Sequence, residues 1–157
     1  MKIQESVIIN RRPDEVFAFL EVRSNDAEWM ASVLESEWLD PTASDPAAPI
    51  AIGRRGRMLM RLPGRQVEFI DEVTDYEPGR RIAHRTVNGP IPLATACICE
   101  PAVEACRTTV VGATERLPGG LLGRVAAPLV ATVIRRGFKA DLARPKKILE
   151  SEGKATG

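Results

Sequence analysis

Between Gly53 and Glu115 the chain is cut into short β-type runs by turn signals, and no gap between them can hold a helix. The runs are "RRGRMLMRL", "RQVEFIDEVTDY", "RRIAHRTVN", "PLATACICE" and "CRTTVVGATE". The breaks are "PG" at 63–64, "EPG" at 77–79, "NGP" at 88–90 and "EPAVEA" at 100–105. A parallel pair needs a crossover of about a dozen residues or more, so these strands must pair antiparallel.

The flanks complete the layout. Residues 3–9 alternate imperfectly, with Ile3, Val7 and Ile9 on one side and Lys2, Gln4 and Ser6 on the other, as in a half-buried strand. Asn10 is positioned to cap a helix. Pro13 suits a first helical turn, and Asp14 and Glu15 suit the positive end of the helix dipole. Val16, Phe17, Phe19 and Leu20 give that helix an apolar face. "SNDAEWM" predicts a second short helix, capped by Ser24 or Asn25, and "VLESEWL" at 33–39 a further strand. "DPTASDPAAP" at 40–49 has loop composition. "LPGG" at 117–120 ends the sheet, and a long helix follows. Its stripe is Leu121, Leu122, Val125, Ala126, Leu129, Val130, Val133, Ile134 and Phe138, with Arg124, Arg135, Arg136 and Lys139 off it. Pro128 predicts a kink within the stripe, and Pro145 an end or a second kink. "SEGKATG" at 151–157 reads as a frayed tail behind a single domain over 1–150.

The expected class is α+β. A sheet of about seven antiparallel strands with one apolar face curls around a long helix with one apolar stripe, and two short helices follow the first strand. Such an arrangement leaves a concave apolar space where small molecules bind.

The segments "INRRPDEVFAFL", Trp29, "EVTDYEPGRRIAHR" at 72–85 and "GLLGRVAAPLVATVIRRGFKADLARPKKILE" at 120–150 resemble the START-related helix-grip superfamily, also called SRPBCC proteins, and in particular its polyketide cyclase/dehydrase-like branch. The resemblance implies a helix-grip fold with ligand entry near the early helices. It spans functions from lipid carriers and hormone receptors to aromatases and cyclases, so the function has to be argued from the site. Two positions depart from the pattern. Pro145 stands where such helices usually continue, and His84 where an aromatic or aliphatic residue is common.

Charge and cysteine content narrow the partners. The net charge is +1 over 157 residues, without the clustered basic surface that phosphate contacts need, so no nucleic-acid partner is expected. The arginine pairs 11–12, 54–55, 80–81 and 135–136 are scattered and read as solvated faces. Three cysteines, Cys97, Cys99 and Cys106, without a secretory signal point to a reducing cytoplasm. "VAAPLVATVI" at 125–134 is about half the length of a transmembrane helix, so no spanning segment is expected. Cys97 and Cys99 lie roughly 6–7 Å apart along one strand, too far for one tetrahedral zinc, so neither metal nor cofactor is assigned. No G-x-S-x-G elbow and no phosphate loop occurs.

Taking the apolar row of each strand as the inner face puts Met58, Met60, Val67, Phe69 and Val73 inward, with Asp71 in the same row and His84 and Thr86 on the next strand. Three readings remain open. One is a binding or carrier module for a small hydrophobic ligand, lipid-like or aromatic polyketide-like. Its lining would be Met58, Met60, Val67, Phe69, Thr86, Leu129 and Val133, with Trp29 near the mouth and His84 and Asp71 fixing orientation. Another is an aromatase/cyclase or dehydratase, with His84 as acid/base and Asp71 as its partner. The last is an interaction protein whose core is filled by its own side chains. Asp71 also fits a β-bulge that turns its side chain outward.

Overall fold

A computed structural model of the protein describes residues 1–42, 45, 47–114 and 121–155. The elements are β1 (Lys2–Ile9), α1 (Pro13–Leu20), a 3-10 turn at Arg23–Asn25, α2 (Asp26–Trp29), β2 (Val33–Trp38), β3 (Arg55–Leu62), β4 (Arg65–Glu77), β5 (Arg81–Asn88), β6 (Ala94–Ala102), β7 (Ala105–Ala113) and α3 (Leu121–Ala155). One seven-stranded sheet runs in the order β1-β7-β6-β5-β4-β3-β2. Every pairing is antiparallel, as the short breaks require. The "PG" and "EPG" breaks turn on Gly64 and Gly79, whose φ of 77° and 73° favour a residue without a Cβ. The "LPGG" turn at 117–120 lies outside the described residues.

Register defines one concave face. Ile3, Val7 and Ile9 stand opposite Gly112, Thr108 and Cys106, and Ile82 stands opposite Cys97. Met58 stands opposite Phe69 and Met60 opposite Val67. One end of this face is filled by Val16, Phe17 and Leu20 of α1, which pack with Ile9, Val73, Ile82, Cys99 and Cys106. Fully burying side chains of this size is worth about 1.5–3 kcal/mol each, so this cluster is a principal source of stability. Toward the other end the face opens. Met58, Met60 and Val67 are only half-buried, and Thr95 is exposed.

The cap of α1 differs from expectation. The N-cap is Arg12 rather than Asn10, because the Glu15 carboxylate reaches back to accept from the Arg12 amide at 3.3 Å. Asn10 instead donates its backbone amide to Glu150 of α3 at 3.0 Å. At α2 neither Ser24 nor Asn25 caps through its side chain, and Asn25 instead donates to the Phe19 carbonyl at 2.9 Å.

The helix α3 packs chiefly along β1, with lesser contact to β7 and α2. Its body-facing side carries Phe138, Leu142, Pro145 and Leu149 at helical spacing, with Ala127, Ala131 and Ile134 half-buried on the same line. The Phe138 ring lies against Gly112, where a Cβ would come within 2.8 Å of it. Arg11 donates to the Leu149 carbonyl at 3.0 Å and Lys146 to the Ile8 carbonyl at 2.8 Å, fixing the helix to the end of β1. Pro145 does not end the helix, which runs on through it, and its ring is buried on the body-facing side with Leu142 and Leu149. The helix also continues through Ala155, across much of the segment expected to fray.

Candidate functional site

The inner end of the concave face holds a polar cluster. The 3-10 turn carries Arg23 into the interior, where the residue is 5% exposed. Its guanidinium donates to the Asp71 carboxylate and stacks over the Trp38 ring, 4.7 Å from the centroid. Room for it comes from Gly56, which stands opposite both Asp71 and Trp38 in the sheet. A Cβ at that position would collide with the guanidinium. The register between β4 and β5 does shift at Ile70/Asp71, yet the Asp71 side chain stays inside. A second guanidinium, from Arg54, lies 4.3 Å from the same Trp38 ring and pairs with Asp40 at 2.6 Å. Arg54 is therefore not on a solvated face. Its hydrogen bond, followed by that of Thr42, holds the Asp40 carboxyl well below the usual range.

His84 and Asp26 complete the cluster. His84 stands opposite Val73 on β4 and its ring lies 6.5 Å from Trp38. Burial lowers it to about 4, with the Asp71 charge acting the other way and the Arg23 charge adding to the lowering. Its imidazole is therefore neutral at neutral pH. Asp26 accepts from the Ser36 hydroxyl at 2.7 Å. Burial raises its carboxyl to about 6, against the opposing Ser36 hydrogen bond and Arg23 charge. Leu20, Glu21, Arg23, Asp26, Trp38, Ile82 and His84 line a cavity of about 30 Å³. Glu21 accepts from the Tyr76 hydroxyl at 2.7 Å, and burial with this bond pushes Tyr76 up to about 12.

Among the described residues, Arg23 Nε, Trp29 Nε1, Asp71 Oδ1 and His84 Nε2 are buried without a hydrogen-bond partner. Buried polar atoms without partners are uncommon and costly. Two of these four, on Arg23 and His84, belong to residues lining the cavity. A volume of about 30 Å³ accommodates a water or one small polar group, not a whole lipid or polyketide. Beyond this cavity the apolar face continues past Met58, Met60 and Val67, which are half-buried.

The structure places the sequence-derived site residues in two groups. Met58, Met60, Val67, Phe69, Asp71, His84 and Thr86 share the concave face. Phe69 is buried and Thr86 is half-buried, accepting from the Leu93 amide at 3.3 Å. The other three depart from expectation. Trp29 is 6% exposed within the core cluster and not at a mouth, because α2, packed on β2 and α3, turns it inward. Leu129 and Val133 are 70% and 62% exposed, on the side of α3 away from the sheet. His84 and Asp71 are neighbours but not hydrogen-bonded: Asp71 Oδ2 accepts from Arg23, while Asp71 Oδ1 and His84 Nε2 are each without a partner. Arg23 is the central residue that sequence reasoning missed. It sits among Ser24, Asn25 and Asp26, a polar setting that reads as solvent-facing, and its partner is 48 positions away. Cys99 and Cys106 are buried free thiols, 3.8 and 3.5 Å from the Thr108 hydroxyl.

The family model described as polyketide cyclase/dehydrase and lipid transport matches residues 1–150. The chain belongs to that family. No curated protein is significantly similar to it in sequence. Among solved structures, the Zhui aromatase/cyclase from Streptomyces sp. R1128 superposes with a TM-score of 0.76 at 18% identity, covering 100% of this chain and 98% of that one. A protein of Thermus thermophilus gives 0.76 at 14% identity, covering 97% and 99%. A START superfamily protein from Mycobacterium smegmatis gives 0.66 at 13%, covering 94% and 98%. Likenesses at this identity establish the shared helix-grip fold.

Proposed function

We propose that the protein is a binding or carrier module for a small, largely apolar molecule with one polar end. The observation that carries this reading is the polar cluster itself. Arg23, Asp71 and His84 keep unspent hydrogen-bonding capacity at the inner end of an apolar face that opens past Met58, Met60 and Val67. A hydroxyl or carbonyl at the cavity would meet the Arg23 guanidinium and the neutral His84 imidazole, and the apolar remainder would lie against the methionines, which adapt to irregular shapes. An apolar lining with a few convergent polar groups is the usual make-up of a ligand site.

The aromatase/cyclase reading draws support from the fold shared with Zhui, but the pair it needs is weak. A histidine lowered to about 4 is a poor base at neutral pH. Its nearby carboxylate is paired through one oxygen with an arginine and makes no hydrogen bond to the histidine.

Native mass spectrometry of the purified protein, with extraction and identification of bound small molecules, tests the proposal. Thermal shift against fatty acids, sterols and aromatic polyketides accompanies it. The expected result is a bound apolar compound carrying a hydroxyl or carbonyl, whose affinity drops in His84→Phe while that variant still folds. No adduct and no shift across the panel would sink the proposal and favour a filled core. Turnover of a polyketide that disappears in His84→Ala would replace it with the enzyme reading.

A further inference from the structure

The outward side of the first half of α3 carries Leu121, Val125, Leu129 and Val133, one turn apart and 80%, 75%, 70% and 62% exposed. This row is continuous, and exposed apolar rows of this kind mark contact surfaces. The body-facing side of the same turns is already occupied by Ala127, Ala131, Ile134 and Phe138, so the outward row contributes nothing to the core. The cations are placed around it. By helical spacing Arg136 continues the row, two turns past Leu129, and Lys139 lies beside it, while Arg124 and Arg135 lie further round on the same flank, between the row and the body-facing side. All four are exposed, and among the described residues none is in an ion pair. Residues 121–140 contain no Asp or Glu and carry +4, while the whole chain carries +1, so the remainder carries −3.

We propose that this half of α3 is a peripheral docking surface for an anionic lipid bilayer. The apolar row enters the headgroup–acyl boundary and the four cations lie among acidic headgroups, the arrangement of an interfacial helix. Charge selects this occupant. A second copy of the chain paired through the same row would bring two +4 segments together with no acid in either to offset them. An acidic bilayer supplies the missing counter-charge. The helix docks on the membrane without crossing it, since no described helix is long and apolar enough to span. This surface lies on the opposite side of α3 from the sheet, so the inference does not depend on what the cavity binds.

Flotation of the full chain with two vesicle compositions tests it: phosphatidylcholine alone, and an equal mixture of phosphatidylcholine and phosphatidylserine. The protein is expected to float with the mixed vesicles, to be released by high salt, and to stay behind with phosphatidylcholine alone. Leu129→Asp/Val133→Asp should abolish flotation, and its melting temperature should match the parent because both sites are exposed. Arg135→Ala/Arg136→Ala should weaken binding about 30-fold, at about fivefold per charge. Failure of the parent to float with mixed vesicles would overturn the proposal, as would equal flotation of parent and aspartate variant. A dimer in sedimentation velocity that Leu129→Asp dissolves would also overturn it, and would assign the row to a second copy.

Discussion

Two buried groups lining one cavity are displaced in opposite directions, and this has a measurable consequence. Asp26 is raised from 3.8 to about 6, and His84 is lowered from 6.5 to about 4. Each displacement corresponds to about 3 kcal/mol between the protonation states. For Asp26 the folded state binds the proton that the unfolded state has released between 3.8 and about 6, so stability rises as pH falls through that window. For His84 the unfolded state binds a proton that the folded state refuses between 6.5 and about 4, so stability falls as pH falls through that window. The windows overlap and the slopes oppose. The parent should therefore show little net pH dependence from these two groups between about 4 and 6.

Substitution separates them. Asp26→Asn keeps an acceptor for the Ser36 hydroxyl and removes the ionisation. It should stabilise the protein at neutral pH by up to about 3 kcal/mol, an upper value because a native cluster relaxes. Of the two cavity groups only His84 then titrates in the variant, contributing a loss of about 3 kcal/mol between pH 6.5 and 4. His84→Gln should show the mirror image, gaining stability as pH falls through 6. Urea unfolding followed by circular dichroism at closely spaced pH values gives both curves. Taking each variant minus parent cancels carboxylates away from the cavity such as Glu15 and Glu72, which arginines lower equally in all three proteins. A difference curve for Asp26→Asn that is flat across this window, or a loss of stability at neutral pH, would refute the reasoning.

Other perturbations test the frame around the site. Gly112→Ala should cost about 1–3 kcal/mol in urea unfolding, because its Cβ meets the Phe138 ring at 2.8 Å, and adding Phe138→Leu should recover part of the loss. Leu142→Ala should cost about 2–5 kcal/mol, since that side chain is 2% exposed and anchors α3. Gly56→Ala should displace the Arg23 guanidinium and change the near-ultraviolet circular dichroism of Trp38, on which it stacks. An unchanged Trp38 signal would mean that Arg23 does not occupy the space above Gly56.

The sheet was legible because its information is local. Proline and glycine fall at the breaks, and Ile3, Val7 and Ile9 declare the inner face of β1 by alternation alone. The orientation of α3 was not legible, because its first half is apolar on two sides. Periodicity finds the helix but cannot choose between the Leu121–Val133 row and the Ala127–Phe138 row. The body takes the latter, whose Ala127, Ala131 and Ile134 are half-buried and whose Phe138 lies against Gly112. Pro145 reads as a helix breaker for the same local reason, while in the structure the helix runs through it with its ring buried on the body-facing side. The inner row Met58, Phe69, Asp71, His84 followed from strand parity. What Asp71 does there did not, since it is decided by an arginine from the far side of α2.

The Arg23–Asp71 pair also separates stability from function. Removing one partner strands a charge in the interior, so Arg23→Met should cost about 3–5 kcal/mol in urea unfolding. Replacing both is different. Buried ion pairs are often matched or bettered by apolar residues of similar volume, because the charges repay their desolvation poorly. Arg23→Met/Asp71→Leu should therefore recover most of what the single variant loses. This pair leaves two of its own atoms, Arg23 Nε and Asp71 Oδ1, without partners, so the parent gains even less from it than a saturated pair would. Unspent polar capacity is of use only if something else bonds to it. If the double variant folds as stably as the parent yet no longer retains the compound found by mass spectrometry, the pair serves the ligand and not the fold. If the double variant retains the compound at parental affinity, the polar cluster is not where the ligand is held, and the open face beside Met58 and Met60 must hold it alone.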